Sequence, residues 1–324
     1  MSHQWCPMIL LGCGWIVELI FRVFSADKSL NSTARPGRRR AKSKKYYQDG
    51  KDLVRIAEET MVMAPAIAAK LPNINPYHAE ACYLDQLPCL DRRQCPREKP
   101  TAIHVVNMDS LNAALQLAAQ YKWESRVMVL NMANFERPGG GWLKGAKAQE
   151  ETLCYRSSLA LSLDARFYPW PQLMGLYTRD VVVMRHDMAS GHGLMVGSSG
   201  SIEPQRLPLV SVMSVAAQRN PRVCQVKNQV LYQQDAMRQL TEAKMRLCLR
   251  TAARKGHGLL VLGALGCGVF GHPATEVAQC WRRVLQEAEF AGGWWKAIWF
   301  AVLDGRSSAK VPGVFSRELA GLEV

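Results

Sequence analysis

At 324 residues with 48% hydrophobic side chains, the chain can hold one large domain or two small ones around a sizeable core, which excludes a polypeptide solvated throughout. The formal charge is +14, from 41 Lys and Arg against 27 Asp and Glu, but half of that excess lies in residues 35–45, RPGRRRAKSKK. The ten cysteines show no CxxC spacing, and Cys82, Cys89 and Cys95 are followed by no matching histidines, which excludes a zinc finger and fits reduced thiols of an intracellular protein.

Residues 1–47 have the character of a disordered extension. The segment WCPMILLGCGWIVELIFRVF (5–24) is apolar, yet Glu18 and Arg22 interrupt it and no basic n-region precedes it, so it reads as an interfacial helix, a weak anchor or a poorly ordered extension, and no stable membrane insertion is expected. The basic run 35–45 reads as a solvated arm or as a nuclear signal or polyanion contact, placing the protein in the nucleus or cytoplasm. The remainder, 48–324, is expected to be one domain, with 48–101 as an N-terminal helical and loop accessory part.

A helical pattern begins at DLVRIAEETMVMAPAIA, with Leu53, Ile56, Thr60 and Met63 on one stripe. Residues 71–101, rich in proline and without a period, predict a loop. Strands are then expected at 102–107, 126–131, 181–186, 208–215, 258–265 and 296–304. Helices are expected at 110–121, 148–163, 228–254 and from Ala274 onward. Strands rich in Val, Ile and Leu that alternate with helices predict an α/β fold.

In such sheets ligands gather where strands end and loops leave for the next helix. Two of these exits are glycine-rich: PGGGWLKGAKAQEE after the strand 126–131, and GALGCGVFGHP (263–273) after the strand 258–263. Glycine loops can curl their N–H groups around phosphates, and helix N-termini add partial positive charge. Tight turns without a ligand would look the same. The second loop also contains the dinucleotide pattern G-x-G-x-x-G, but near the end of the sheet and without an acidic residue at the tip of a following strand.

Glu150 and Glu151 stand where a helix begins, a common place for acidic residues. Two adjacent carboxylates beside phosphates nevertheless repel each other and raise at least one pKa. A carboxylic acid kept protonated near neutrality is what glycosidic cleavage requires. Asn131 and Asn134 either bond ribose hydroxyls or cap the strand end. Cys154 and Cys267 read as packed small residues.

The segment NMANFERPGGGWLKGAKAQEE resembles the GGG-x(6–8)-QEE signature of poly(ADP-ribose) glycohydrolases, and GALGCGVFGHP resembles their diphosphate-binding loop. The likeness is to the microbial-type members and runs from about residue 48 to 304. It implies a macrodomain-like three-layer α/β/α domain with a mixed central sheet. It also implies hydrolysis of ribose–ribose O-glycosidic bonds in poly(ADP-ribose), with no cofactor and no metal. Carried over by position, Glu151 is the catalytic acid/base and Glu150 holds ribose hydroxyls. Gly139, Gly140, Gly141, Gln149, Gly266, Cys267, Gly268, Val269, Phe270 and Gly271 form the substrate-binding loops, and Asn134 anchors the terminal ribose. The implied partner is poly(ADP-ribose) or an ADP-ribosylated protein, met by a monomer. The alternatives are a non-catalytic ADP-ribose-binding macrodomain and a hydrolase of mono-ADP-ribose on protein or nucleic acid. The chain departs from the family at GHPATE, and in the bulky Trp142 and Lys144 after the triple glycine, which are expected to alter access.

Overall fold

A computed structural model describes residues 50–197, 202–227, 229–304 and 311–324. The apolar segment 5–24, the basic run 35–45 and the rest of the extension 1–47 lie outside the described residues. Among the described residues no helix is long and apolar enough to cross a membrane.

Nine strands are described: β1 (Glu80–Tyr83), β2 (His104–Val106), β3 (Val127–Met132), β4 (Met174–Val182), β5 (Leu209–Val215), β6 (Val223–Val226), β7 (Gln229–Tyr232), β8 (Leu259–Leu262) and β9 (Ala297–Ala301). Seven of them form one sheet in the order β1-β4-β5-β3-β8-β9-β2, and β6 with β7 makes a separate hairpin. β5, β3, β8, β9 and β2 run parallel, while β4 alone is reversed and pairs antiparallel with β5 and with the edge strand β1. This is the mixed sheet of a macrodomain-like α/β fold.

The helices are α1 (Gly50–Ala68), α2 (Ser110–Gln120), α3 (Gln149–Arg156), α4 (Asp235–Arg254), α5 (Ala274–Leu285) and α6 (Val311–Leu319). The central strands β3, β8 and β9 are apolar on both faces, and alternate residues enter different cores. Met128, Leu130, Leu260, Leu262, Ile298 and Phe300 join a core with Cys248 of α4, Trp281 of α5 and Phe315 of α6. Val127, Val129, Leu259, Val261 and Trp299 join the opposite core with Leu53 of α1, Leu117 of α2 and Leu153 of α3. Three layers follow directly from this alternation.

Several local expectations are corrected. Residues 71–101 are not only loop, because Glu80–Tyr83 pairs with β4 and closes one edge of the sheet. The helix expected over 148–163 stops at Arg156, where Ser157 turns to extended backbone (φ -143°, ψ 175°) and its hydroxyl caps a short 3-10 turn at Ser158–Leu161. The strand placed at 181–186 starts earlier, at Met174, since the charges of Arg179 and Asp180 mask a buried run. The helix expected from 228 starts at Asp235, after the hairpin β6–β7.

Candidate active site

The five parallel strands all end at the same edge of the sheet, so their exits share one rim. A cleft of about 800 Å³ opens there. It is lined by Met108 and Asp109 after β2, Asn134 and Gly140 after β3, Arg219 after β5, Phe270 after β8 and Leu303 after β9. Its size is that of a pocket for a nucleotide-sized ligand.

The first glycine loop follows β3 and folds back over α3. Gly140 has φ +60°, a conformation that side-chain-bearing residues rarely adopt. A Cβ on it would stand 2.6 Å from Glu151 Oε1 and 3.0 Å from Glu150 Oε2. Both carboxylates therefore crowd the bare backbone of one residue, and only glycine admits them. Tyr155, one turn further along α3, donates its hydroxyl to the carbonyls of Trp142 (2.7 Å) and Ala146 (2.9 Å), fixing the far limb of the loop. Trp142 is buried and packs edge-on against Tyr155, so the bulk expected to alter access belongs to the core instead.

Glu150 is 3% exposed and Glu151 8%. Solvated helix-start carboxylates, the ordinary alternative, would lie open to water. Glu150 Oε2 accepts from the Asn134 N–H (2.8 Å), and Oε1 lies 3.4 Å from the Asn131 amide. Burial pushes the Glu150 carboxyl up to about 8, helped by the neighbouring Glu151 and opposed by those two donors. Asn131 Oδ1 is buried without a partner while Nδ2 bonds Ser214 Oγ. An Asn131 amide turned about would offer Oδ1 to a protonated Glu150, and the Ser214 hydroxyl can donate as well as accept.

Glu151 is held differently. Its Oε1 accepts from the Gly141 N–H at 2.8 Å, and its Oε2 is buried with no protein partner. That oxygen is the one in the pair that no protein group satisfies.

The remaining sequence-singled residues divide by what they touch. The Gln149 amide is spent on protein, accepting from the Met132 N–H and donating to the Leu130 carbonyl and Ser110 hydroxyl, which ties the start of α3 to β3. The Asn134 side chain caps the turn ahead, accepting from the N–H groups of Glu136 and Arg137. Asn131 is fully buried and braces Glu150, so the open choice between ribose contact and strand end resolves toward support of the carboxylate. Gly139 sits beneath the rim, where a Cβ would strike the Trp142 ring at 2.7 Å.

The second loop brings Gly266, Cys267, Gly268, Val269 and Phe270 into the lining of the same cleft, while Gly271 is not among the residues that line it. Gly266 has φ +78° and its missing Cβ leaves room for the His272 ring, which a Cβ would approach to 2.6 Å. His272, in the GHPATE departure, is buried and bonds the Gln218 carbonyl and the Tyr232 hydroxyl. Val269 is 78% exposed at the loop tip. Phe270 lies under the Arg219 guanidinium, 5.3 Å from ring centroid to carbon, and its carbonyl accepts from the Asn220 N–H.

Sequence reading missed Asn131 as a brace, together with Tyr155, Arg219 and Arg156. Arg156 is buried at the end of α3 and pairs with Asp109, and it donates to Asn112 at 2.8 Å, joining α3 to the start of α2. Among the described residues no group of three or more His, Cys, Asp or Glu side chains could hold a metal ion.

Fold and site together define a macrodomain-like protein whose ligand cleft carries two buried carboxylates. Residues 38–186 match the family model described as microbial-type PARG, catalytic domain, the family that the two-loop signature resembles. That family comprises glycosidases acting on poly(ADP-ribose). The chain is similar to the solved poly(ADP-ribose) glycohydrolase of Thermomonospora curvata, with 25% identity, a TM-score of 0.64, and 83% of this chain and 100% of that one covered. The same enzyme bound to the inhibitor ADP-HPD matches at 26% identity and a TM-score of 0.63, over the same shares of the two chains. The Deinococcus radiodurans enzyme in complex with ADP-ribose matches at 25% identity and a TM-score of 0.59, covering 78% of this chain and 97% of that one. No curated protein matches the sequence.

Proposed function

We propose that this protein hydrolyses the O-glycosidic ribose–ribose bond of poly(ADP-ribose) and releases ADP-ribose. The observation that carries the reading is the pair of buried carboxylates against the bare backbone of Gly140, one of them raised to about 8, at the wall of a nucleotide-sized cleft.

Glu150 retains its proton near neutrality, because burial, with the neighbouring Glu151 adding to it, disfavours its charged form. Glu150, with both oxygens facing protein donors, holds and orients the sugar. Glu151 delivers the proton through Oε2 to the 2′-oxygen of the leaving ribose as the bond from C1″ to that oxygen breaks. Water then adds to C1″ and returns its proton to Glu151, which restores the starting state. The raised group is Glu150 and not the proposed donor. Glu151 is assigned the transfer because it presents a carboxylate oxygen without a protein partner.

The two glycine loops supply N–H groups for the diphosphate, and Phe270 supplies an apolar surface for a sugar. Release of ADP-ribose from purified polymer by the native protein and by Glu151→Gln, with ADP-ribose binding measured in parallel, tests the reading. Release by the native protein that falls at least about a hundredfold in the variant, with binding kept, is the expected result for loss of a general acid. Binding without release by the native protein would leave a reader of ADP-ribose instead.

A further inference from the structure

A second hollow of about 330 Å³ adjoins the cleft past the end of β5, lined by Gln172, Gln218, Arg219, Asn220, Arg222 and Gln234 among others. Arg219 lines both spaces and forms the divide between them. No carboxylate lines the hollow. Arg222 is exposed, and among the described residues it has no acidic partner. The acidic partner of Arg219 is Glu136, 3.7 Å away, with both side chains nearly half exposed. Such a pair contributes little and is readily exchanged for a stronger anion.

A third cation is tied to the lining. Lys244 is 5% exposed and donates to the carbonyl of Gln172, a lining residue. No carboxylate among the described residues pairs with it, and burial alone lowers it to about 8. A buried cation without a counter-charge is costly, so the region favours an anion.

The hollow is also on the correct side. Glu150 is braced by Asn131 of β3, which bonds Ser214 of β5, so the carboxylates sit at the β3–β5 end of the cleft. The exit of β5 then leads through Ala217 and Arg219 into the hollow. Further along the sheet from β5, the exit of β9 presents Ala301, Val302 and Leu303, which suit a base. If the bond is broken at the carboxylates, the unit on its far side begins beside Arg219.

We propose that this hollow is a second subsite, which receives the diphosphate of the ADP-ribose unit adjoining the scissile bond through the guanidinium groups of Arg219 and Arg222. Guanidinium forks match phosphate oxygens in pairs. The proposal rests on the polymer reading above and makes the protein bind a linked unit more tightly than a single one.

The test compares ADP-ribose with size-fractionated oligo(ADP-ribose) by calorimetry on Glu151→Gln protein, with and without Arg222→Glu, at low and moderate salt. The expected result is oligomer binding weakened by about fivefold or more, a loss typical of one surface charge contact, with a flatter salt dependence and monomer affinity within about twofold. Arg222→Ala should give a smaller loss in the same direction, and it serves if the reversed charge prevents folding. Equal binding of monomer and oligomer by the parent protein overturns the subsite, as does oligomer binding and salt dependence unmoved by either substitution. If the native protein fails to release ADP-ribose from polymer, the catalytic reading falls, while the binding comparison still decides the subsite.

Discussion

Glu150 links the chemistry to the stability of the fold. Its pKa is about 8 in the folded protein against an ordinary value of 4.5. The folded state therefore binds more protons than the unfolded chain between those limits, and stability falls as pH rises from about 4.5 to about 8. Glu150→Gln keeps the shape and removes the charge, so its midpoint of thermal unfolding should exceed that of the native protein at pH 9 and converge toward it near pH 5. A shift of this size corresponds to at most several kcal/mol. Melting curves at the two pH values check it, and a difference independent of pH would show that Glu150 is not raised. Loss of the Glu150 proton has a kinetic consequence as well, since it adds a second negative charge beside Glu151. Turnover of polymer should decline above pH of about 8, with a single-proton slope in kcat.

The same scale contains Gly140. Alanine there would need φ +60° and would place its methyl 2.6 Å from Glu151 Oε1. Gly140→Ala is expected to cost roughly 1–3 kcal/mol in stability from the strained backbone. It should also displace Glu151 and so lower kcat more than ADP-ribose affinity. Chemical denaturation together with initial rates separates the two effects, and full activity in a stable variant would refute the tight fit.

Elements show what was legible in the sequence and why. The glycine loops and the glutamate pair stood out because a strand exit, a run of glycines and two acids are contiguous in the chain. Their supports did not, because each partner is remote. Gln149 ties α3 to β3 through Leu130 and to α2 through Ser110, and Tyr155 reaches back to Trp142 and Ala146. Nothing in the local pattern marks a Tyr or Gln as a strut. Likewise β1 is four residues long and gains its conformation from pairing with β4, so its own composition predicts a loop. The core strands β3, β5 and β8 were legible because burial on both faces demands continuous apolar runs. Tyr155→Phe tests one strut. It deletes the donor to two carbonyls in a buried place, so a loss of about 1–3 kcal/mol is expected. Weaker ADP-ribose binding should accompany that loss if the strut fixes the loop, and unchanged affinity would confine Tyr155 to the core.

At the scale of the molecule, the two loops are carried by neighbouring strands β3 and β8, and glycines of both line the one cleft. Either loop alone is an ordinary turn; a diphosphate clamp needs both at once. For the proposed clamp, the sheet brings both together by running five strands in parallel, so that their exits meet at one rim, while the strand pairing fixes the spacing between the loops. A ligand that bridges the loops binds only the folded arrangement and must stabilise the whole domain. ADP-ribose at a hundred times its dissociation constant should add about 2.7 kcal/mol to the unfolding free energy, which corresponds to roughly 4–10 °C in the thermal midpoint. Amide exchange then tells a clamp from a single contact. Slowed exchange in both 136–147 and 264–271 is expected on adding ADP-ribose, because the diphosphate occupies N–H groups of each loop. Protection confined to one segment would reduce the site to a single anion turn and leave the other loop without a role in holding the phosphates.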